Sequence, residues 1–401
     1  MKNTIKEQLF VIVIILAVTG CSGPDAFEGV PDHISDMENL TVYSSSDIAD
    51  ADTVRLIPEQ LFRDTEENPI TAFGSVVIDD FGRLLIGDRQ QRAIHLFLQD
   101  GHYLGKIGGD GDGPGEFRWV GGLDIHNNRL YAHDPNGSKI NIFDLGTDAQ
   151  NLPEYESAIV IGSDRWENFP ESGFENPGFH TVRSDGFILL TSRTSPILYR
   201  EYPDSIGVRK YYQWSGDHNE EPESIFEIVE PKFIAYQWSI IPPPFATRGI
   251  MTTSEDDLIY SGDTGDFLIK TQDAEGDYQS AFFYPFEKRE LTRTDAVKSV
   301  EQHGELQDAV SSMPIPDTWP AIQQIRADNT GRIWVLVHAE TDEINRWFVL
   351  EESGNLLAKF ELPGGMSIAN IDGDQLYTRE TDEETGLQQI VKYRIEFGDG
   401  L

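Results

Sequence analysis

The sequence has only one cysteine and few basic residues, and both shortages exclude classes of function. Cys21 has no second cysteine to pair with, so an internal disulfide framework and a Cys-rich metal site are excluded. Lys and Arg number 31 against 69 Asp and Glu, which gives a formal net charge of −38. Nucleic acids bind proteins through clustered Lys and Arg, so a nucleic-acid partner is also excluded. With 39% hydrophobic residues, the chain has enough apolar side chains for a sizeable core.

Uninterrupted hydrophobic stretches are short, and one of them lies at the N-terminus. Residues 9–18 are all apolar, which is too short to span a bilayer and typical of a signal-peptide core. The following Val18-Thr19-Gly20-Cys21 resembles the lipobox of bacterial lipoproteins, in which the cysteine is acylated. We therefore expect a signal peptide at residues 1–20 and a lipid anchor on Cys21. The alternative is an ordinary buried segment or an uncleaved anchor.

The predicted anchor has consequences for location and for domain organisation. It places the folded domain in the cell envelope, at the periplasmic or the surface face of a membrane. Residues 22–51 are rich in Ser, Asp, Gly and Pro without a sustained period, so we interpret residues 21–51 as a flexible tether. The remaining residues 52–397 are expected to form one repeat domain.

Internal repetition is the main signal beyond the tether. Residues 76–107 contain four short apolar runs separated by tight turns, and the unit returns at 123–145, where Asp134 matches Asp88. Each unit predicts an antiparallel meander of short strands. Weaker copies follow at 179–201, 249–279, 322–357 and 368–395.

Six such meanders predict an all-β fold, a six-bladed β-propeller with four-stranded antiparallel blades. A sandwich or a barrel uses similar strands but does not require the turn pattern to return six times. The last copy supplies three clear strands, at 368–371, 375–379 and 389–395. Residues 53–57 form a strand just before the first blade, so we expect them to complete the sixth, because an open ring leaves unpaired edges.

Several phrases resemble a known family. They are IDDFGRLLIGD at 78–88, IHLF at 94–97 and GGDGDGPGEF at 108–117, with PAIQQIRADNTGRIWV at 320–335. Together they resemble the six-bladed β-propeller lipoproteins of Bacteroidota-type bacteria, which are relatives of NHL-repeat propellers. The resemblance implies the fold and export from the cytoplasm. It implies no catalytic residue, because the family as a whole has no established activity.

The glycine-rich segment 108–117 has the composition of a ligand-binding loop, but its charges do not fit a phosphate. A phosphate cradle needs a Lys and a following helix, whereas this segment carries Asp110, Asp112 and Glu116 and precedes a strand. Calcium fits the acidic residues better, yet the EF-hand spacing fails because its fifth position is Pro114. We interpret the segment as a turn between blades, with calcium as an unsupported alternative. No other cofactor is evident.

The sequence offers no visible catalytic group. The nine histidines show no close metal-ligand pairing, there is no G-x-S-x-G motif, and the single cysteine is assigned to the lipid. We therefore assign no catalytic and no metal-binding residue.

Two insertions interrupt the repeat and direct attention to one mouth of the predicted channel. Residues 202–248 contain a run of three prolines, and residues 285–320 predict a helix at 293–311 with apolar residues on one face. The loops that enter the innermost strands of a propeller converge near one mouth, where ligands usually bind. The candidate binding residues in these loops and insertions are Arg118, Trp119, Trp238 and Trp319. The alternative is that the tryptophans pack between blades.

Three hypotheses about function follow. The first is a membrane-anchored, non-enzymatic module that binds an envelope protein or a glycan. The second is an NHL- or gluconolactonase-like enzyme, a lyase or lactonase, with a metal at the channel mouth. The third is a structural component of the envelope. The missing ligand constellation favours the first.

Overall fold

The computed structural model describes residues 30–63, 70–162, 166, 169–202, 205–236 and 239–398. The chain divides into two units, residues 1–37 and residues 38–401. The described part of the first unit contains one short helix, α1 (Asp32–Ser35). The second unit holds the β-structure.

Six blades of antiparallel strands make up most of the second unit, so the predicted six-bladed propeller is confirmed. Three elements precede the first blade: β1 (Leu40–Val42), α2 (Ser45–Asp50) and β2 (Asp52–Arg63). The first blade consists of β3 (Phe73–Ile78), β4 (Leu84–Asp88), β5 (Ala93–Phe97) and β6 (Tyr103–Gly108). The second consists of β7 (Leu123–His126), β8 (Arg129–Asp134), β9 (Lys139–Asp144) and β10 (Glu154–Val160). The third consists of β11 (Gly178–Val182), β12 (Ile188–Arg193), β13 (Val208–Trp214) and β14 (Glu223–Val229), with α3 (Leu198–Glu201) between β12 and β13.

The second half of the chain continues the same pattern. A hairpin of β15 (Ile234–Tyr236) and β16 (Ser239–Ile241) leads into the fourth blade, β17 (Gly249–Thr253), β18 (Ile259–Asp263), β19 (Leu268–Gln272) and β20 (Tyr278–Phe283). Helices α4 (Arg293–Lys298) and α5 (Gly304–Ser312) precede the fifth blade, β21 (Ile322–Ala327), β22 (Ile333–Val337), β23 (Ile344–Leu350) and β24 (Leu356–Pro363). The sixth blade contains β25 (Ser367–Asp372), β26 (Gln375–Thr381) and β27 (Gln388–Phe397).

The N-terminal strand β2 closes the ring, as the sequence predicted. It pairs antiparallel with β27, from Val54 opposite Phe397 to Arg63 opposite Gln389. The strand is longer than the predicted 53–57, and its far end contributes Phe62 to the core between the sixth and first blades. Closure therefore combines main-chain pairing with side-chain packing.

The first strand of each blade is the innermost one. Strand β25 lies beside β3, β3 beside β7, β7 beside β11, and β17 beside β21. We call the end of the propeller at which these inner strands begin the entry mouth, and the other end the exit mouth.

Part of the predicted tether is regular structure. Strand β1 pairs parallel with β20 of the fourth blade, from Leu40 opposite Ala281 to Val42 opposite Phe283. The stacked rings of Tyr43 and Tyr284, 4.6 Å apart, extend this contact. The short run of alternating residues at 40–42 was too brief to reveal a strand in the sequence. A tether role for the residues before 38 stays a prediction.

The third blade extends further along the chain than the repeat pattern indicated. The repeat pattern predicted that this unit ends at residue 201 and that 202–248 is an insertion. The structure shows instead that 208–229 contains β13 and β14, which complete the blade. Trp214 is buried in this blade's core. The actual insertion between the third and fourth blades is residues 230–248. The extra helix α3 between β12 and β13 explains why the spacing of the repeat was lost.

The matching aspartates of the first two blades have one structural role. Asp88 Oδ2 accepts the main-chain N–H of Thr71, at 2.7 Å, on the segment that enters β3. Asp134 accepts those of Arg118 and Trp119, at 3.0 and 3.1 Å, on the segment that enters β7. An aspartate at the end of the second strand thus fixes the loop that enters the inner strand of the same blade.

Buried arginines join neighbouring blades at the exit mouth. Arg83 of the first blade donates to the main-chain oxygens of Leu145 and Asn151, at 2.9 and 2.7 Å. Arg183 of the third blade donates to Ala274 of the fourth at 2.9 Å, and Arg332 of the fifth donates to the sixth. Arg83 and Arg332 follow the turn after an inner strand, and Arg183 directly precedes that turn, so the repeat itself places these contacts.

Candidate functional site

The contact between the third and fourth blades differs from the other five. Large apolar clusters fill the remaining seams between neighbouring blades. In the described residues, the third seam has a polar cavity in place of such a cluster. A seam that lacks the apolar packing of the other seams is a candidate functional site, because proteins depart from regular packing mainly where a site requires it.

A glycine allows the blades to meet on one side of this seam. Strand β14, the outermost strand of the third blade, lies beside β17, the inner strand of the fourth. A Cβ atom on Gly249 would lie 2.5 Å from Cβ of Ile228, so only glycine fits here. The close approach at Gly249 leaves the cavity to one side of it, at the entry mouth.

The two insertions pack together above the entry mouth. Residues Phe245 and Trp319 share an apolar cluster with Ala296, Val300 and the rest of the buried face of α4 and α5. The predicted helix at 293–311 is therefore present as two helices, with a break after Lys298. The hairpin of β15 and β16 packs on α5. We call this assembly the cap.

The cavity at the third seam, which we call the seam pocket, has a volume of about 580 Å³. It is bounded by the third, fourth and fifth blades and by the 230–248 insertion. Its lining residues are Arg193, Arg209, Tyr211, Ile228, Glu230, Pro231, Phe233, Pro242, Arg248, Gly249, Ile250, Met251, Gln323, Gln324, Ile325 and Leu336.

Two of the three lining arginines form ion pairs. Arg193 Nε donates to Glu175 at 2.6 Å, with both side chains well exposed. Arg209 Nε donates to Glu230 at 2.7 Å, and Glu230 is buried. Three arginines and one glutamate line the pocket, so its wall carries an excess of positive charge in a strongly acidic protein.

The third arginine, Arg248, stands just before β17. Its Nη2 donates to the main-chain oxygen of Gln323 at 3.0 Å, and among the described residues no ion pair joins it to a carboxylate. Burial and the positive charge of Arg209 lower the pKa of Arg248, against the attraction of Glu230. Its positive charge is thus less than fully compensated.

Further arginines extend this positive region along the channel. Burial and the charge of Arg379 lower the pKa of Arg326 to about 10. With the Gln324 amide oriented so that its oxygen faces Arg326, that oxygen accepts from Nε and Nη2, both at 3.2 Å. Arg379 donates to the main-chain oxygen of Gly74 on the first blade. Burial and the Arg209 charge also lower the pKa of His180 to about 4, which keeps that imidazole neutral near pH 7.

A second cavity, at the exit mouth, has a lining of opposite charge to that of the seam pocket. This cavity has a volume of about 280 Å³ and is lined by carboxylates that include Asp124, Glu255, Asp328 and Asp372. Asp124 accepts from Thr181 Oγ1 at 2.6 Å and from the main chain of Val182 at 2.7 Å, and burial raises its pKa. Burial and the neighbouring Asp372 raise the pKa of Glu255. The lining of this cavity is therefore acidic, whereas arginines outnumber carboxylates in the lining of the seam pocket.

Arg118 and Trp119, two of the candidates from sequence, lie on the loop that enters β7 in the second blade. Arg118 forms an exposed pair with Asp112, at 2.5 Å from Nε, and Trp119 is 40% exposed. Neither residue lines the seam pocket. They are positioned by their main-chain bonds to Asp134.

Trp319 is a packing residue of the cap. It is 5% exposed, and its ring lies 5.0 Å from that of His338 and 6.5 Å from that of Phe245. Trp238 and Cys21, the other two residues singled out from sequence, lie outside the described residues. Of the three candidates that are described, Arg118, Trp119 and Trp319, none lines the seam pocket.

The glycine-rich segment connects the first blade to the second. Positive φ angles at Gly108 and Gly115 shape the connection, and Phe117 is buried between the blades. Glu116 accepts the main-chain N–H of Gly113 at 2.8 Å. Across the residues that are described, no three His, Cys, Asp or Glu side chains are grouped so that they hold a metal ion.

Sequence reasoning missed the arginines of the seam pocket. Arg193, Arg209 and Arg248 are spread over more than fifty positions and come from two strands of the third blade and from the segment before the fourth. Their common feature is a position at the entry end of a strand, which becomes visible only when β13 and β14 are assigned to the third blade. Because those strands were assigned to an insertion, no sequence pattern pointed to this site.

In the part of the chain with described coordinates, no helix combines the length and the apolar composition needed to cross a bilayer.

Residues 28–207 match the family model DUF5128, whose description is a 6-bladed beta-propeller. This match confirms the resemblance to six-bladed propellers. No curated protein matches the chain.

Several solved structures are similar to this chain at low sequence identity. A member of the duf4221 family from Bacteroides vulgatus is 12% identical, with 86% of this chain and 99% of that chain covered and a TM-score of 0.53. A protein from Bacteroides fragilis is 14% identical over 89% and 99% of the two chains, with a TM-score of 0.44. A gluconolactonase from Xanthomonas campestris is 12% identical over 85% and 98%, with a TM-score of 0.41. Similarity at this level concerns the fold alone.

Proposed function

We propose that this protein is an exported, lipid-anchored β-propeller that binds a ligand in the seam pocket. The observation that supports this function is the polar cavity at the third seam, where the other five seams are filled with apolar side chains. Its volume lies within the range of roughly 300 to 1,000 Å³ that is usual for small-molecule sites. The pocket opens at the mouth toward which the insertions and inner-strand loops converge.

The ligand we propose is a glycan fragment or another small polar molecule from the envelope. Phe233 and Tyr211 offer aromatic surface, and Gln323 and Gln324 offer amide donors and acceptors. Polar groups placed beside aromatic and apolar surface are typical of sites that fix the orientation of a ligand. The second hypothesis, a metal-dependent lyase or lactonase, is kept as an outcome of the test, because one fold hosts many functions.

Filling the pocket tests the function without assuming the charge of the ligand. Met251 lines the pocket, and Met251→Trp would occupy part of its volume. We expect a ligand found on a glycan array, or by pull-down from an envelope extract, to bind this variant at least about tenfold more weakly. Circular dichroism and the melting temperature check that the variant is folded.

Trp119→Ala is the matched variant outside the pocket. Because Trp119 is exposed, its removal should leave the fold intact. It should weaken binding by about 2 kcal/mol only for a partner that also covers the second blade. Unchanged binding by Met251→Trp would move the site away from the seam. Metal-dependent turnover of a lactone or ester by the wild type would replace the binding function with the enzymatic one.

The anchor carries a separate prediction. We expect cleavage before Cys21 and acylation of that cysteine, which would hold the protein to a membrane, with a second acyl chain needed for stable attachment. Mass spectrometry of the mature N-terminus in its native host should find a lipid-modified cysteine. A Cys21→Ser variant should lose both the lipid and the membrane fraction. An unmodified mature N-terminus in the wild type would contradict the assignment.

A further inference from the structure

The seam pocket has a charge that identifies the class of its ligand, and this inference rests on the proposed function. We propose that the pocket binds the oxyanion group of a small acidic molecule, a carboxylate or a phosphate, through the guanidinium groups of Arg193, Arg209 and Arg248. The neutral part of the ligand would face the aromatic and amide side chains of the wall.

The concentration of arginine at this place is opposed by the composition of the protein. With 69 acidic and 31 basic residues, a positive surface does not arise from the average composition. The three arginines nevertheless come from β12, β13 and the segment before β17, and only Glu230 opposes them on the pocket wall. Their convergence follows from the way the third and fourth blades meet.

The bonding of these arginines leaves capacity for a ligand. Arg193 and Arg209 each use Nε for a carboxylate, and Arg248 uses one Nη for a main-chain oxygen. A guanidinium has five N–H donors in a planar fork, so each retains donors for a second partner. Carboxylate and phosphate oxygens match this fork and form charge-assisted bonds with it.

The unliganded pocket contains opposed positive charges that an anion would relieve. In addition to burial, the charge of Arg209 lowers the pKa of Arg248, and the charge of Arg379 lowers the pKa of Arg326 further along the channel. Partly buried like charges destabilise a fold unless a counter-ion is bound. Such a cost at a binding site is the usual exchange of stability for function.

The cavity at the exit mouth has the opposite lining charge. Carboxylates from four blades face the cavity there, including Asp124 and Asp372. We therefore expect an anion to be disfavoured in that cavity and favoured in the seam pocket. The two cavities differ in the sign of their lining charge, which a general surface effect of an acidic protein would not produce.

The experiment measures stabilisation of the purified protein by defined anions. Sodium D-glucuronate and sodium phosphate are the two acidic probes, D-glucose is the neutral analogue, and NaCl holds the ionic strength constant. We expect glucuronate or phosphate to raise the melting temperature with increasing concentration, beyond the effect of NaCl, and glucose to leave it unchanged. Glucuronate alone would identify a carboxylate ligand, and phosphate alone a phosphate ligand.

Arg248→Gln and Arg129→Gln form the matched pair of variants. Arg129 makes an exposed ion pair with Glu156 on the second blade, away from the pocket. Arg248→Gln should weaken the effective probe at least about tenfold by calorimetry, and its melting temperature without probe should equal or exceed that of wild type. Arg129→Gln should bind the probe as the wild type does.

Two results would overturn the inference. One is a wild type that neither probe stabilises beyond NaCl, and the other is equal stabilisation of the Arg248→Gln variant. Failure of the anion class is distinguishable from failure of the binding function. Suppose that a neutral ligand binds the Arg248→Gln variant but not the Met251→Trp variant. The seam pocket would then remain a binding site, and the proposal that its ligand carries an oxyanion group would be wrong.

Discussion

Deletion of residues 52–63 is expected to abolish the stable propeller and cause aggregation. These residues form β2, which pairs with β27 along most of its length and supplies the fourth strand of the sixth blade. Without it, β27 presents an unpaired edge, and such edges associate with other chains. Size-exclusion chromatography and circular dichroism would show soluble aggregate or unfolded protein where the wild type is monodisperse and folded.

A substitution at Phe62 tests the contribution of side-chain packing to this closure separately from that of strand pairing. Its ring lies 6.0 Å from that of Phe97 in the first blade and 6.4 Å from that of Tyr377 in the sixth. Phe62→Ala should lower the free energy of unfolding by about 3 to 5 kcal/mol while leaving β2 in place. Deletion of residues 22–29, within the predicted tether, is the control and should change neither solubility nor the melting temperature. Equal tolerance of both deletions would argue against closure by the N-terminal strand.

Removing the carboxylate of Asp79 is expected to be the most damaging point substitution at the exit mouth. Asp79 and Arg83 form an ion pair at 2.6 Å with both side chains fully buried. The same carboxylate accepts the main-chain N–H groups of Phe81 and Arg83, at 3.0 and 2.9 Å. Asp79→Ala leaves a buried guanidinium without its counter-charge, which costs about 3 to 5 kcal/mol.

Urea denaturation of three variants tests this expectation. Asp79→Asn keeps the size of the side chain and one oxygen for the main-chain bonds, so it separates the loss of the ion pair with Arg83 from the loss of those main-chain bonds. Glu156→Ala breaks an exposed pair with Arg129 and should barely move the denaturation midpoint. If Asp79→Ala were as stable as Glu156→Ala, the buried pair would not hold the first two blades together.

The repeating part of the fold follows from local sequence. Turn residues, alternating apolar residues and the aspartates at positions 88 and 134 act within one blade, over distances that a short stretch of chain specifies. The closing strand was also predictable, because a three-stranded last repeat and an unassigned strand at 53–57 complement each other. These local features predict an all-β propeller of six blades.

The candidate site depended on contacts that local patterns do not contain. Exposed and buried tryptophans look alike in sequence, so the burial of Trp319 in the cap was decided by how two distant insertions pack on each other. Helix α3 displaced the spacing of the third repeat, and this hid β13 and β14 within an assumed insertion. Short regular elements such as β1 are likewise stabilised by their partner strand and not by their own residues.

By itself, the sequence determined the number of blades, the strand that closes the ring and the strongly acidic composition. The tertiary structure decided where that composition is locally reversed. Arg193, Arg209 and Arg248 face one cavity because the third and fourth blades meet through Gly249 without filling their seam with apolar side chains. The position of one blade against the next depends on packing between residues far apart in the chain, which a periodic sequence signal cannot specify.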